Sequence, residues 1–418
     1  MNSIKYIKYL FTAWFLLGSF IVLSRDPLEG YLIEAANNNP GLKSKFSEYM
    51  AALEKVPQAG TLPDPQITFG YLIQPVETRV GSQQARISAM QMFPWFGTLN
   101  TKKDAVMETA RSKYEMFEEA KARLFYNVKS TYYNLYFTGK AIDITMENID
   151  ILNTFRKLAL IKLESGLVSS VDVLRVEIEI ADLENQLASL KDNFFFMQAG
   201  FNNLLNVGEQ NPVNIPDSLS NIDFELAHEA ALDSIRKGNH QVLQLEFIEA
   251  SYKKQEILAK KMGKPNLMLG FDYMVIGESG SPMTDPSESG KDAFVFPMVG
   301  ISIPLYRQKY TSMVKEAVLM LESIENGKLD KINILKTTYE KASKDYKDAD
   351  RRIPLYQGQS GKAAKALNIL QTEYETNGKN FEEVLRMERQ LLKYRLELEK
   401  ARADKNAAIA FIIYLMGK

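Results

Sequence analysis

The chain has 418 residues, 45% of them hydrophobic and 25% charged, which is enough to bury a sizeable core and lies outside the disordered class. Net charge is −1 and the isoelectric point near 6.3, so there is no basic excess of the kind nucleic-acid binding needs. Cysteine is absent and the only histidines are His228 and His240, which excludes a disulfide scaffold and a thiolate zinc site.

The chain opens like an export signal over residues 1–24. Lys5 and Lys8 precede an apolar run from Leu10 to Leu23; Ser24 ends it, and Arg25 and Asp26 follow. An uncleaved anchor is the alternative, although the run is short of the roughly 20 apolar residues a spanning helix requires. No later stretch reads as a membrane helix. An exported chain of that kind is either soluble or part of a β-barrel.

The first strand signal is Ile67, Phe69 and Tyr71, alternating with Gln66, Thr68 and Gly70, and a return strand is expected over Ala85 to Phe93. From Leu99 to about Lys162 there is no proline, and Gly139 is the only glycine. Phe117, Ala120, Leu124, Val128, Thr131 and Leu135 recur at helical spacing, and a helix from Leu99 to Glu164 would be about 100 Å long. Gly166 breaks it. Ser169 or Ser170 can cap the next helix, with Asp172 in its first turn and Val171, Leu174, Ile178 and Ala181 on one face.

The second half repeats the plan. Leu267, Leu269, Phe271, Tyr273 and Val275 alternate with smaller or more polar residues, a loop follows from Gly277 to Asp292, and a return strand spans Ala293 to Ile303. A long helix runs from Tyr310 to about Asp350. Pro354 and the stretch Gln357 to Gly361 are expected to interrupt it before helix resumes at Ala363. Gly378 breaks the pattern again, Asn380 is placed to cap, and Leu385, Leu392 and Leu396 share a face of a last helix reaching Leu415. Asn39 is answered by Asn239, Pro65 by Pro265, Pro94 by Pro304, and Val173-Leu174-Arg175 by Val384-Leu385-Arg386. The chain therefore reads as an internal duplication. Its repeats are 25–220, with strand pair 65–93 and helical hairpin 98–200, and 221–418, with strand pair 265–303 and hairpin 308–415. The strands fit a membrane barrel or an ordinary soluble sheet. Four strands cannot close a barrel, so the barrel reading requires several chains.

This arrangement resembles the TolC-type outer membrane efflux proteins. The matching residues are Glu34-Ala35 with Asn39-Pro40-Gly41-Leu42, Pro65, Phe93-Pro94-Trp95-Phe96-Gly97, Gly166 with Ser170-Val171-Asp172-Val173-Leu174, Tyr374 with Gly378-Lys379, and Leu415-Met416-Gly417. The resemblance implies a mainly α fold with membrane β structure: a homotrimer whose four strands per chain close a 12-stranded β-barrel, continued by a long periplasmic α-helical barrel. Equatorial elements would lie near 25–40, 210–235 and 351–362. The implied function is the outer membrane channel of a tripartite efflux pump in a Gram-negative bacterium. It would be a passive exit duct joined through a periplasmic adaptor to an inner-membrane exporter, RND-type rather than ABC-type. Outer membrane lipid would surround it, and it would need no cofactor, metal or nucleic acid.

The resemblance puts Asp172 at the periplasmic aperture, with Glu382 and Glu383 in the second repeat; three copies near an axis would form an acidic ring. Asp172 equally suits a helix N-terminus, and Glu382 and Glu383 a solvated surface. The chain departs from the family pattern at Arg175, where an acidic residue can stand, and at Lys379, which takes the place of an arginine at a different spacing. Gly166, Gly378 and Lys379 would form adaptor-facing turns. Phe93 and Trp95 suit an aromatic belt at the membrane interface or a packed core. Met268, Met274, Met283 and Met298 suggest soft-metal handling, but the chain has 17 methionines and no metal-ligand spacing, so general methionine supply is the better account. No nucleophile elbow, metal triad or phosphate loop is visible, so an enzyme is not expected. The rival reading is an exported helical rod without channel activity.

Overall fold

The computed structural model describes residues 27–219, 224, 227–280, 285–377 and 380–418; the signal segment, Met283, Gly378 and Lys379 lie outside them. Helices α1 (Pro27–Asn38) and α2 (Pro40–Gly60) lead into strands β1 (Gln66–Thr78) and β2 (Gly81–Phe93), then into helices α3 (Thr98–Glu164) and α4 (Ser170–Leu205). The same order follows again: α5 (His228–Gly238), α6 (His240–Met262), β3 (Asn266–Ile276), β4 (Ala293–Ser302), α7 (Arg307–Asn377) and α8 (Phe381–Leu415). The two copies also start alike. Asn39 Oδ1 accepts from Leu42 N–H at 3.0 Å, and Asn239 Oδ1 from Gln241 N–H at 3.0 Å, so each asparagine caps the second helix of its repeat.

The chain separates into two compact units, and neither is one half of the sequence. One unit holds α1, α4, α8 and the parts of α3 and α7 within Lys121–Ala227 and Tyr339–Leu415. Its core runs through Ile144, Leu152, Phe155, Val176, Ile180, Leu183, Val384 and Leu392, contributed by α3, α4 and α8. Phe201 is fully buried there, edge-on to Tyr31 at 5.0 Å between ring centroids. The other unit holds the sheet, α2, α5, α6 and the remaining parts of α3 and α7. In it Ser251 donates to Ala105 O at 2.9 Å and His240 Nδ1 meets the Glu115 carboxylate at 2.7 Å, which seats α6 on α3.

The sheet is antiparallel throughout, in the order β1-β2-β3-β4. Register aligns Phe69 with Ile87 and Ile87 with Tyr273, and on the opposite face Thr68 with Ser88 and Ser88 with Asp272. Three register shifts bend it, between Tyr71 and Val76, between Gln83 and Ala85, and between Gly270 and Asp272. Pro75 lies in β1, an edge strand, where a missing N–H breaks no ladder on the outer side.

Two expectations fail. Helix α7 runs unbroken through Pro354, Gly358 and Gly361 for 71 residues. Proline removes one backbone donor, but charged pairs hold the flanking turns. The Arg352 guanidinium reaches Asp348 at 3.1 Å and Asp404 at 2.6 Å, and Lys405, only 2% exposed, reaches Asp350 at 2.8 Å. On α4 the face of Val171, Leu174 and Ile178 is exposed, whereas Val173, Val176, Ile180 and Leu183 face the core. That helix is apolar on two sides, and only one of them is covered within the chain.

A buried carboxyl sits between α3 and α8. Asn148 Nδ2 donates to Glu388 Oε1 at 2.5 Å, while Oε2 is buried without a partner. Burial pushes the Glu388 carboxyl above its ordinary 4.5, against the opposing pull of Asn148 and Arg395. A raised carboxyl means the folded state holds the proton more tightly. Stability from this group is therefore full below pH 4.5 and is lost as pH rises through the folded-state value. Glu388→Gln should raise the melting temperature in detergent at neutral pH, and the difference should vanish near pH 4, a comparison made by circular dichroism melts across that range. In the same assay Phe201→Ala should cost about 3–5 kcal/mol, the usual penalty for emptying a buried aromatic site.

Candidate functional site

The far end of the first helical hairpin is built around Gly166, whose φ of 71° is the left-handed geometry glycine adopts without penalty. Leu167 N–H bonds to Lys162 O at 2.9 Å and Gly166 N–H to Leu163 O at 3.0 Å, the paired 6→1 and 5→2 bonds that end a helix. Ser169 then caps α4, its hydroxyl accepting from Val171 N–H. Of the two candidate serines, Ser169 is therefore the cap. In the second hairpin Gly378 and Lys379 lie outside the described residues. Asn380 has a left-handed φ of 67°, not the extended backbone of a side-chain cap, and its carbonyl accepts from Val384 N–H.

The two hairpins are cross-tied near these turns. Buried Lys162 donates to Glu375 O at 2.9 Å and lies 5.4 Å from the centre of the Tyr374 ring. Tyr374 packs on Phe381 at 4.6 Å, and its hydroxyl is buried with no hydrogen-bond partner. Burial, with a smaller push from the nearby Asp172 charge, raises the phenol to about 12. Asp172 keeps 17% of its side chain exposed, and Arg175 stands between it, at 3.6 Å, and Glu382, at 3.3 Å. Arg175 thus brings two of the three acidic candidates together and links α4 to α8. Glu383 does not join them; it pairs with Arg386 on its own helix. Glu382 is largely exposed, so the link is electrostatically weak and easily broken.

The sheet is the other candidate. One face carries Ile67, Phe69, Tyr71 and Ile73 of β1, Leu267, Leu269 and Phe271 of β3, and Val299 and Ile301 of β4, all exposed in the single chain. The other carries Gln66, Thr68, Arg86, Ser88 and Asp272 among smaller or sulfur-containing residues. Asp272 is buried and takes two contacts from Arg86, at 2.8 and 2.6 Å. Phe93 stands on the apolar face opposite Leu267, and Trp95 meets Phe96 at 5.9 Å just beyond the strand end. Phe96, Leu305 and Tyr306 are more exposed than either, and all three flank the same two strand-to-helix junctions. Sequence reasoning passed over them, although Leu305-Tyr306 occupies the place in the second repeat that Trp95-Phe96 holds in the first. It also missed Arg175 as a bridge, for which the i,i+3 spacing from Asp172 was the one available signal.

Among the described residues no group of three or more His, Asp or Glu side chains is placed to hold a metal, and no helix is long and apolar enough to cross a membrane.

No known family profile matches the chain, and no curated protein does. The likeness lies in three dimensions. A membrane protein from Pseudomonas aeruginosa superimposes with a TM-score of 0.78 at 14% identity, over 95% of this chain and 93% of that one. The outer membrane protein VceC from Vibrio cholerae gives 0.76 at 14%, over 93% and 96%. The Campylobacter jejuni CmeC outer membrane channel gives 0.75 at 13%, over 94% and 86%. The chain has the fold of these solved proteins, a mainly helical chain with a four-stranded sheet, as the resemblance to TolC-type proteins implies.

Tyr374→Phe should keep the contacts with Phe381 and Lys162 while removing a buried hydroxyl that has no partner. Its melting temperature in detergent should match or exceed that of the parent, by up to about 1 kcal/mol in stability.

Proposed function

We propose that this protein is the outer membrane channel of a tripartite efflux system, a passive duct and not an enzyme. One observation carries the reading: a four-stranded sheet that is apolar on one face, polar on the other, and unpaired along β1 and β4. In water the apolar face is costly, and in lipid the open edges are. Three copies joined edge to edge satisfy both demands, giving twelve strands in a closed wall with lipid outside and water within. The exposed apolar face of α4 supports the same assembly, because neighbouring chains would cover it.

The strands lie in the outer membrane and the helices extend into the periplasm, reaching an adaptor protein and, through it, an inner-membrane exporter of the RND type. Phe93, Trp95, Phe96 and Tyr306 stand at the lipid–water interface. Gly166, and with it Gly378 and Lys379, form the adaptor-facing turns. Asp172, Glu382 and Glu383 surround the periplasmic aperture. Arg175 holds it narrow by joining Asp172 to Glu382, and the opening step separates α8 from α4 at that bridge.

The test is single-channel conductance in a planar bilayer together with the mass of the detergent-purified protein. Trimers forming small, cation-preferring pores are expected. Asp172→Asn combined with Glu382→Gln should reduce the preference for cations, and Arg175→Ala should raise the conductance. A water-soluble monomer or dimer that never inserts would overturn the reading and leave the exported helical rod.

A further inference from the structure

The methionines of the sheet all lie on one side. Met90 and Met92 of β2, Met268 and Met274 of β3, and Met298 of β4 occupy the polar face, as their pairing with Gly270, Met268, Gly300 and Arg86 requires. None falls on the apolar face, which from Ala85 to Phe93 of β2 and from Leu267 to Val275 of β3 carries leucine, isoleucine, valine, alanine, phenylalanine and tyrosine apart from Gln91. If methionine served only as apolar filler, the apolar face would be the place for it.

Four of the five form a contiguous patch. Met92 and Met268 are direct cross-strand partners, and Met90 and Met298 flank Gly270 from either side. Directly paired residues have Cβ atoms about 5 Å apart, and diagonal neighbours about 7–8 Å, within reach of two long thioether arms. Gly270 must stay bare, since a Cβ there would sit 2.3 Å from Ala89 O, and so the space between Met90 and Met298 is left open. Gly300 is bare as well, and the Met268 methyl already leans over it, 3.1 Å from where its Cβ would be. Met268 therefore reaches toward the strand that carries Met298. Met268 is the diagonal neighbour of both Met90 and Met298, across the bare backbone of Gly270 and Gly300.

Thioethers are soft, neutral ligands. They favour copper(I) and silver(I) and have little affinity for magnesium, calcium or zinc. No cysteine exists in the chain to compete for such an ion, so methionine is the only sulfur ligand it has. Neutral ligands also hold a monovalent cation without trapping it, as passage through a pore demands.

We propose that Met90, Met268 and Met298 form a binding site for soft monovalent metal ions, copper(I) or silver(I), on the polar face of the sheet. The proposal rests on the channel reading only for the claim that this face lines the pore.

The test titrates detergent-purified full-length protein with silver nitrate in chloride-free buffer, silver being a probe that needs no reductant. It compares the parent, a Met90→Leu/Met268→Leu/Met298→Leu variant and a Met146→Leu control on the exposed surface of α3. Leucine keeps the volume and removes the sulfur. The expected result is calorimetric silver binding by parent and control, weakened about tenfold or more in the triple variant. Potassium conductance of the triple variant should match that of the parent. Silver binding equal in parent and triple variant, or absent from the parent, would overturn the proposal and leave the methionines as a pliable lining for apolar solutes. Silver binding that depends on these residues in a protein without conductance would keep the site and remove the channel.

Discussion

Unpaired backbone at the two edges of the sheet governs what this chain can be. The sheet presents a row of amide and carbonyl groups along β1 and another along β4, together with a broad apolar face. Those features place contradictory demands on a lone molecule, because water solvates the edges and lipid the face. Pairing or covering those edges removes the conflict.

The helical part is organised to hold charge inside a narrow bundle. Lys405, Glu388 and Lys162 are nearly inaccessible, yet each has a specific acceptor or donor on a different helix. Such contacts contribute less to net stability than to register, because a buried polar or charged group stripped of its partner costs about 1–3 kcal/mol or more. They set which turn of α8 faces which turn of α3 and α7, where an apolar seam alone would tolerate slippage by a turn. Arg175, by contrast, lies at the surface and bridges its two carboxylates loosely. The contrast is between buried contacts that fix register and an exposed bridge that contributes little to it.

Much of the architecture was legible in the residues. Alternation at Ile67, Phe69 and Tyr71 and at Leu267, Leu269 and Phe271 marks strands because period two has no helical counterpart. Gly166 marks a hairpin because left-handed backbone selects glycine. The misreadings have physical sources. Pro354 looked like a break because its cost is local, while the pairs that offset it come from Asp404 and Lys405, some 50 residues away in sequence. The seam of α4 was placed on Val171, Leu174 and Ile178 because a helix apolar on two sides offers two stripes of nearly equal quality. Residues brought together by tertiary structure alone, such as Arg175 with Glu382 or Met90 with Met298 across Gly270, leave no pattern in one sequence to find.

The pairing of β2 with β3 joins residues of the two repeats, as between Arg86 and Asp272, 186 positions apart. The contacts of α3 with α8 span more still, 240 positions from Asn148 to Glu388 and 263 from Tyr136 to Glu399. Contact order is therefore high for a chain so rich in helix, and folding speed falls as contact order rises. The first repeat emerges with its helices formed locally and β2 paired only with β1, its other edge and the part of α3 that α8 covers still open. During that interval its apolar strand face and open edges are available to any other chain. A chain with this topology is open to off-pathway pairing until β3 and α8 have arrived.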